Sequence, residues 1–146
     1  MIEKAKALHP NKNIKYICKN ILDMEFDNNS FDIIVTVATA HHLPYEWLLN
    51  FGKDKLKKGG KLIILDLVKS DYIIWGSAFL PNILMNFIKN GRLHKDDERT
   101  KEVWERHARN DAYMTMGEIR SLVNKHLLTA KVKRKLFWRY LLVWQK

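Results

Sequence analysis

Cysteine is nearly absent from this chain. Cys18 stands alone among 146 residues. That excludes an internal disulfide and a zinc site of paired cysteines, and it points to a reducing, cytoplasmic compartment. The six histidines show no zinc-like spacing, so no metal is expected. Glycine occurs six times but never as Gly-x-Gly, and no G-x-x-x-x-G-K run is present. The usual phosphate-cradling loops are therefore excluded. Neither G-x-S-x-G nor H-E-x-x-H occurs, which removes the nucleophile elbow and the zinc-protease helix. Long hydrophobic runs are also missing. The longest, YIIWGSAFLPNILMNFI, is broken by Gly76 and Pro81, and the charged start MIEKAKAL is no secretory leader, so no membrane partner is expected.

Apolar bulk and positive charge are what the chain does have. Apolar residues make up 47% of the sequence, enough for one domain spanning 1–146 with a real core. The net charge is +10, and it is uneven: residues 74–146 carry 15 Lys/Arg against 7 Asp/Glu, whereas residues 1–73 carry 11 against 9. Such an excess steers anionic partners such as RNA or a membrane surface. A solvated basic face is the plainer explanation.

Periodicity divides the chain into helices and strands. IEKAKAL has helical spacing, and HPNKN closes it as a loop. IKYIC, residues 14–18, is a short strand candidate. DIIVTV (32–37) and KLIILDLV (61–68) are apolar and β-branched, as strands buried on both faces should be. YEWLLNFGKDKL between them reads as a helix, and KKGG as a tight turn. Beyond them, IIWGSAFLPNILMNFIKNG predicts apolar helices broken near Pro81, and DDERTKEVWERHARND a charged helix. Thr115 and Glu118 form a capping-box pattern that starts another helix. TAKVKRKLFWRYLLVWQK reads as two strands meeting near Phe137, the first a half-exposed edge. This order predicts an α/β fold with a mostly parallel sheet.

Ligands of open α/β sheets bind beyond the carboxyl ends of the parallel strands. Those ends are residues 20–22, 37–39 and 66–67. His41 and His42 lie just past the second, behind small residues that would let a ligand approach the backbone. Residues 31–43, FDIIVTVATAHHL, thus read as a strand ending on the rim of a small-molecule site. The competing explanation has one histidine capping the next helix and the other packing.

NIKYICKNILDMEFDNNSFDIIVTVATAHHL followed by LKKGGKLIILDL resembles the middle of class I S-adenosylmethionine-dependent methyltransferases, and the tail resembles the closing helix and strand pair of a small-molecule branch. The resemblance implies a Rossmann-like methyltransferase sheet lacking its first two strands, with a C-terminal antiparallel strand pair. It implies S-adenosylmethionine as cofactor, with Asn20 in the place of the acid near the adenine. Ile21 and Leu22 follow beside the ring, and Val37 and Ala38 border the methionine part. His41 and His42 stand over the reacting region as catalytic candidates, with Asp66 in a structural or rim role. It also implies that the glycine-rich loop and the ribose-binding acid are not in this chain, so that activity of the truncated chain would be impaired. Strand 14–18 would then stand about 14 Å, three spacings of roughly 4.8 Å, from strand 32–37. Direct pairing of the two, a preceding segment or a second copy would have to fill that gap. The aromatic stretch with Trp75, Phe79, Leu80, Met85 and Phe87 would form a lid over an apolar small-molecule acceptor. A non-catalytic, methyltransferase-like domain is the alternative. Methylation of RNA ranks behind both, because VATAHHL lacks an Asn-Pro-Pro-Tyr type run.

Overall fold

The structure is a computed structural model that describes residues 2–69, 85, 88, 113–136 and 138–146. Helix α1 (Ile2–Leu8) is followed by extended chain and a single helical turn at Ile21–Asp23. Strand β1 (Phe31–Val37), a short turn at Ala40–His42, helix α2 (Tyr45–Lys55) and strand β2 (Leu56–Leu67) come next. Helix α3 (Met116–His126) and strands β3 (Lys131–Lys135) and β4 (Arg139–Gln145) close the chain. The predicted helices within 70–112 lie outside the described residues.

The sheet order is β1-β2-β4-β3, with β1 parallel to β2 and the other neighbours antiparallel. This is the expected Rossmann-like pattern without its first strands, and the C-terminal antiparallel pair is present, but the sheet is mixed rather than mostly parallel, because β4 and β3 enter it antiparallel. The parallel step requires a crossover, and α2 supplies it. Helices α2 and α3 both pack on one face. That face presents Ile34 from β1, Leu62 and Ile64 from β2, and Tyr140 and Leu142 from β4, in register across the sheet. Leu48, Leu49, Ile119 and Val123 of the helices complete this core. Contact is close: a Cβ on Gly52 would stand 2.8 Å from a Leu62 methyl.

Local signals act as expected at both ends of the fold. Thr115 accepts from the Glu118 N–H at 3.3 Å while its own N–H donates to the Glu118 carboxylate at 2.7 Å, so two orphan donors of α3 are satisfied reciprocally. On β3, Val132 is half-buried while Lys131 and Lys133 are exposed, the charged edge that blocks further pairing.

Three more expectations are corrected. KKGG is not a separate turn before a strand but an irregularity within β2. Phe31 pairs with Leu56, yet Ile33 pairs with Lys61, so the intervening residues of β2 bulge. Gly59 has φ +82°, and a Cβ on Gly60 would stand 2.9 Å from the Asp32 carbonyl oxygen. Residues 14–18 form no strand and do not pair with β1. Extended chain becomes a strand only when its N–H and C=O groups find a ladder, and none lies alongside. Finally, β1 is not buried on both faces. Ile33, Val35 and Val37 are 57%, 56% and 59% exposed, because both packed helices cover the opposite face.

Candidate functional site

The chain leaves β1 through a sharp corner. Ala38 continues the ladder by donating its N–H to the Leu65 carbonyl at 2.9 Å, but its φ is +50°. A left-handed alanine is locally unfavourable and marks a position held by its surroundings. The Thr39 hydroxyl donates to the Val37 carbonyl at 2.9 Å, and Ala40 drops into the core. The next two residues are the histidines, and the corner separates them. His41 is turned inward and His42 is exposed, with their rings 4.0 Å apart.

Asp66, near the end of β2, is what holds His41. It is 1% exposed. Its carboxylate accepts from the His41 backbone N–H at 3.0 Å, from the Leu67 N–H at 2.6 Å and from the His41 ring at Nδ1, 2.6 Å. A carboxylate accepts only, so the Nδ1 atom carries the hydrogen in this contact; in the neutral ring Nε2 is then the acceptor. Neither histidine caps α2, whose cap position is Pro44, without a side-chain bond.

Asp66 and Tyr140 are cross-strand partners on the covered face, and Tyr45 comes down on them from the start of α2. The two phenols meet at 3.2 Å between oxygens. Burial pushes the Tyr45 phenol up to about 12, opposed by the bond from Tyr140, and burial pushes Tyr140 higher still, so both are protonated at neutral pH. A cavity of about 250 Å³ lies against these groups, lined by His41, Tyr45 and Tyr140 with Leu43, Met114 and Ile119 among its apolar walls.

A second cavity, of about 260 Å³, lies along β1 and shares Leu43 with the first. It brings together Ile21 and Val37, two residues expected at the cofactor, with Trp47 and Phe51 of α2. Thr36 also lines it, and its hydroxyl is buried with no hydrogen-bond partner among the described residues. Asn20 and Leu22 are placed differently. The Asn20 side chain caps its own turn, accepting from the Leu22 N–H at 3.2 Å and donating to Asp23 at 3.0 Å. It lines neither of these two cavities nor the wide groove beside Leu22. Leu22 faces a wide groove of about 940 Å³ with Met24, Phe26 and Phe31. Among the described residues no cluster of His, Cys, Asp or Glu could hold a metal. No helix there is long and apolar enough to cross a membrane. Of the expected lid residues only Met85 is described, helical and exposed.

Sequence reasoning missed two parts of this site. Asp66 was visible at a strand end, but its partner lies 25 positions away. Tyr45 and Tyr140 are 95 positions apart, and no local pattern links them.

The comparisons with known proteins agree with the geometry. The methyltransferase-domain family matches residues 1–64. An uncharacterized protein of Methanocaldococcus jannaschii is 38% identical over 63 residues, 43% of this chain and 28% of that protein. A crystal structure of a Pyrococcus horikoshii protein superposes with a TM-score of 0.54 at 15% identity, over 98% of this chain and 63% of that one. A Methanosarcina mazei structure described as a SAM-dependent methyltransferase gives 0.54 at 16%, over 98% and 74%. The chain therefore has the fold of class I S-adenosylmethionine-dependent methyltransferases, and its first 64 residues match the methyltransferase-domain family. It spans under a third of the curated relative and 63% of the Pyrococcus chain.

Proposed function

We propose that the chain supplies the acceptor side, and one wall of the donor side, of a methyltransferase that transfers the methyl group of S-adenosylmethionine to a small molecule. One observation carries this reading: in a chain with this fold, a buried carboxylate on one parallel strand orients an imidazole at the end of its neighbour, at 2.6 Å. The cavity with Ile21, Val37 and the unpartnered Thr36 hydroxyl fits an apolar ring carrying a polar edge. It fits only part of the cofactor, since no Gly-x-Gly loop occurs in the 146 residues. When bound, S-adenosylmethionine supplies a methyl group on a positively charged sulfur. The chain's own residues do the rest. Ile21 and Val37 give apolar contact, and the left-handed Ala38 turns the backbone away from the strand end. Asp66 fixes the orientation of the His41 ring, which lines the cavity and is the candidate to take a proton from the acceptor. His42, exposed beside it, is the secondary candidate. Asn20 and Leu22 remain proposals for the adenine side, Asn20 only if its turn opens.

Calorimetric titration of S-adenosylhomocysteine into the folded chain tests the reading. Saturable binding that weakens on Thr36→Val is expected. A folded chain that takes up none in the micromolar-to-millimolar range would remove the cofactor assignment and leave a methyltransferase-like domain without catalysis. Binding of RNA with a steep salt dependence would instead favour a nucleic-acid substrate.

A further inference from the structure

The tyrosine pair poses a counting problem. Two phenol hydroxyls carry two hydrogens, and only one can lie between the two oxygens. Tyr140 donates to Tyr45 at 3.2 Å. The Tyr45 hydrogen then has no acceptor among the described residues, although Tyr45 is only 9% exposed and Tyr140 2%. A buried donor left over is costly, about 1–3 kcal/mol, unless something accepts from it. Both rings line the 250 Å³ cavity, and His41 lines it too. The remaining walls are apolar, with Leu43, Met114 and Ile119 among them.

We infer that this cavity binds a small, mostly apolar molecule bearing one hydroxyl, whose oxygen accepts from the tyrosine pair. The size sets the class. A dry cavity of about 150 Å³ holds a benzene ring, so about 250 Å³ takes a substituted single ring or a branched aliphatic alcohol. Asp66 acts here as a positioning residue: it keeps the Nδ1 hydrogen of His41 turned to itself at 2.6 Å. As a binding site the pocket stands on the cavity and the spare hydrogen alone. As the acceptor pocket it rests on the methyl-transfer reading above.

Phenol and toluene differ by the hydroxyl and test the inference on the whole chain. Binding is followed by NMR at the Met114 methyl and the His41 ring. Both ligands should move Met114 and the His41 ring, which line the cavity, and phenol should bind at least about tenfold more tightly. Tyr45→Phe and Tyr140→Phe, made singly, should each keep that preference, because either hydroxyl alone retains one hydrogen to donate. The double variant should lose it while binding toluene as before, and it should fold, since replacing both partners of a buried bond by apolar rings is nearly neutral. Equal affinity for phenol and toluene, no shift at Met114, or a folded double variant that still prefers phenol would overturn the inference. No methyl donor is needed. A chain that binds phenol but no S-adenosylhomocysteine keeps this pocket and loses the transfer reading, and the reverse result moves the acceptor elsewhere.

Discussion

The two faces of the sheet have much the same apolar composition and opposite fates. Ile34, Leu62, Ile64 and Leu142 lie under α2 and α3, and Leu62, Ile64 and Leu142 are fully buried. Ile33, Val35 and Val37, their alternates along β1, are more than half exposed. The polar groups around the His41 cavity also lie on the covered side: Tyr140 and, above it, Tyr45, which line it, and Asp66, which holds His41. A buried carboxylate can be held in one orientation only where packing excludes water and neighbours fix its donors. Along β1 the other face is apolar and exposed and carries no such constraint.

Substitutions can break or sharpen this contrast. The largest effect is expected at Asp66→Ala, which leaves the His41 ring and two backbone N–H groups without their acceptor. A loss of roughly 3 kcal/mol is expected in urea unfolding. Leu62→Ala opens a cavity beneath Gly52 and should cost about 3 kcal/mol by the same measurement. Next comes alkaline pH. The Tyr45 phenol is raised in the folded state to about 12 from an ordinary value of 10.0. Its contribution is therefore whole below pH 10 and lost as pH rises through about 12, because the unfolded chain ionises first. Replacing Tyr45 by Phe should flatten that part of the stability profile; an unchanged slope would show that the phenol is not buried. Thr115→Ala removes the cap of α3 and should cost about 1 kcal/mol. The smallest effect is on the other face, where Val35→Lys should change stability by no more than about 0.5 kcal/mol. The same change should reduce any self-association seen by size-exclusion chromatography, since it charges an exposed apolar surface next to a strand edge with no ladder partner among the described residues. A loss as large as that of Leu62→Ala would mean that the two faces are alike.

Much of the fold was legible because its signals are local. The Thr115–Glu118 cap, the β-branched run of β1 and the alternation around Val132 each need only a few neighbouring residues. The strand expected at 14–18 failed for the opposite reason: its residues have the right type, but a strand exists only with a partner. The candidate site was half legible. His41 and Val37 could be located beside the cavities from the end of β1, since the carboxyl ends of parallel strands are where ligands meet such sheets, whereas Ile21 was expected from the end of a strand that does not form. Asn20 could not, because nothing in the sequence says that its amide is spent on its own turn.

Among the described residues, the sequence by itself determined the order from β1 through α2, β2 and α3 to the closing strand pair, and the cap of α3, since each follows from side-chain period or short-range hydrogen bonding. Only the tertiary structure decided which of two adjacent histidines is held inside and which face of the sheet is covered. It also decided that Tyr45 meets Tyr140. Those outcomes depend on how α2 and α3 pack across the β2–β4 pair, bringing together groups that the chain keeps far apart.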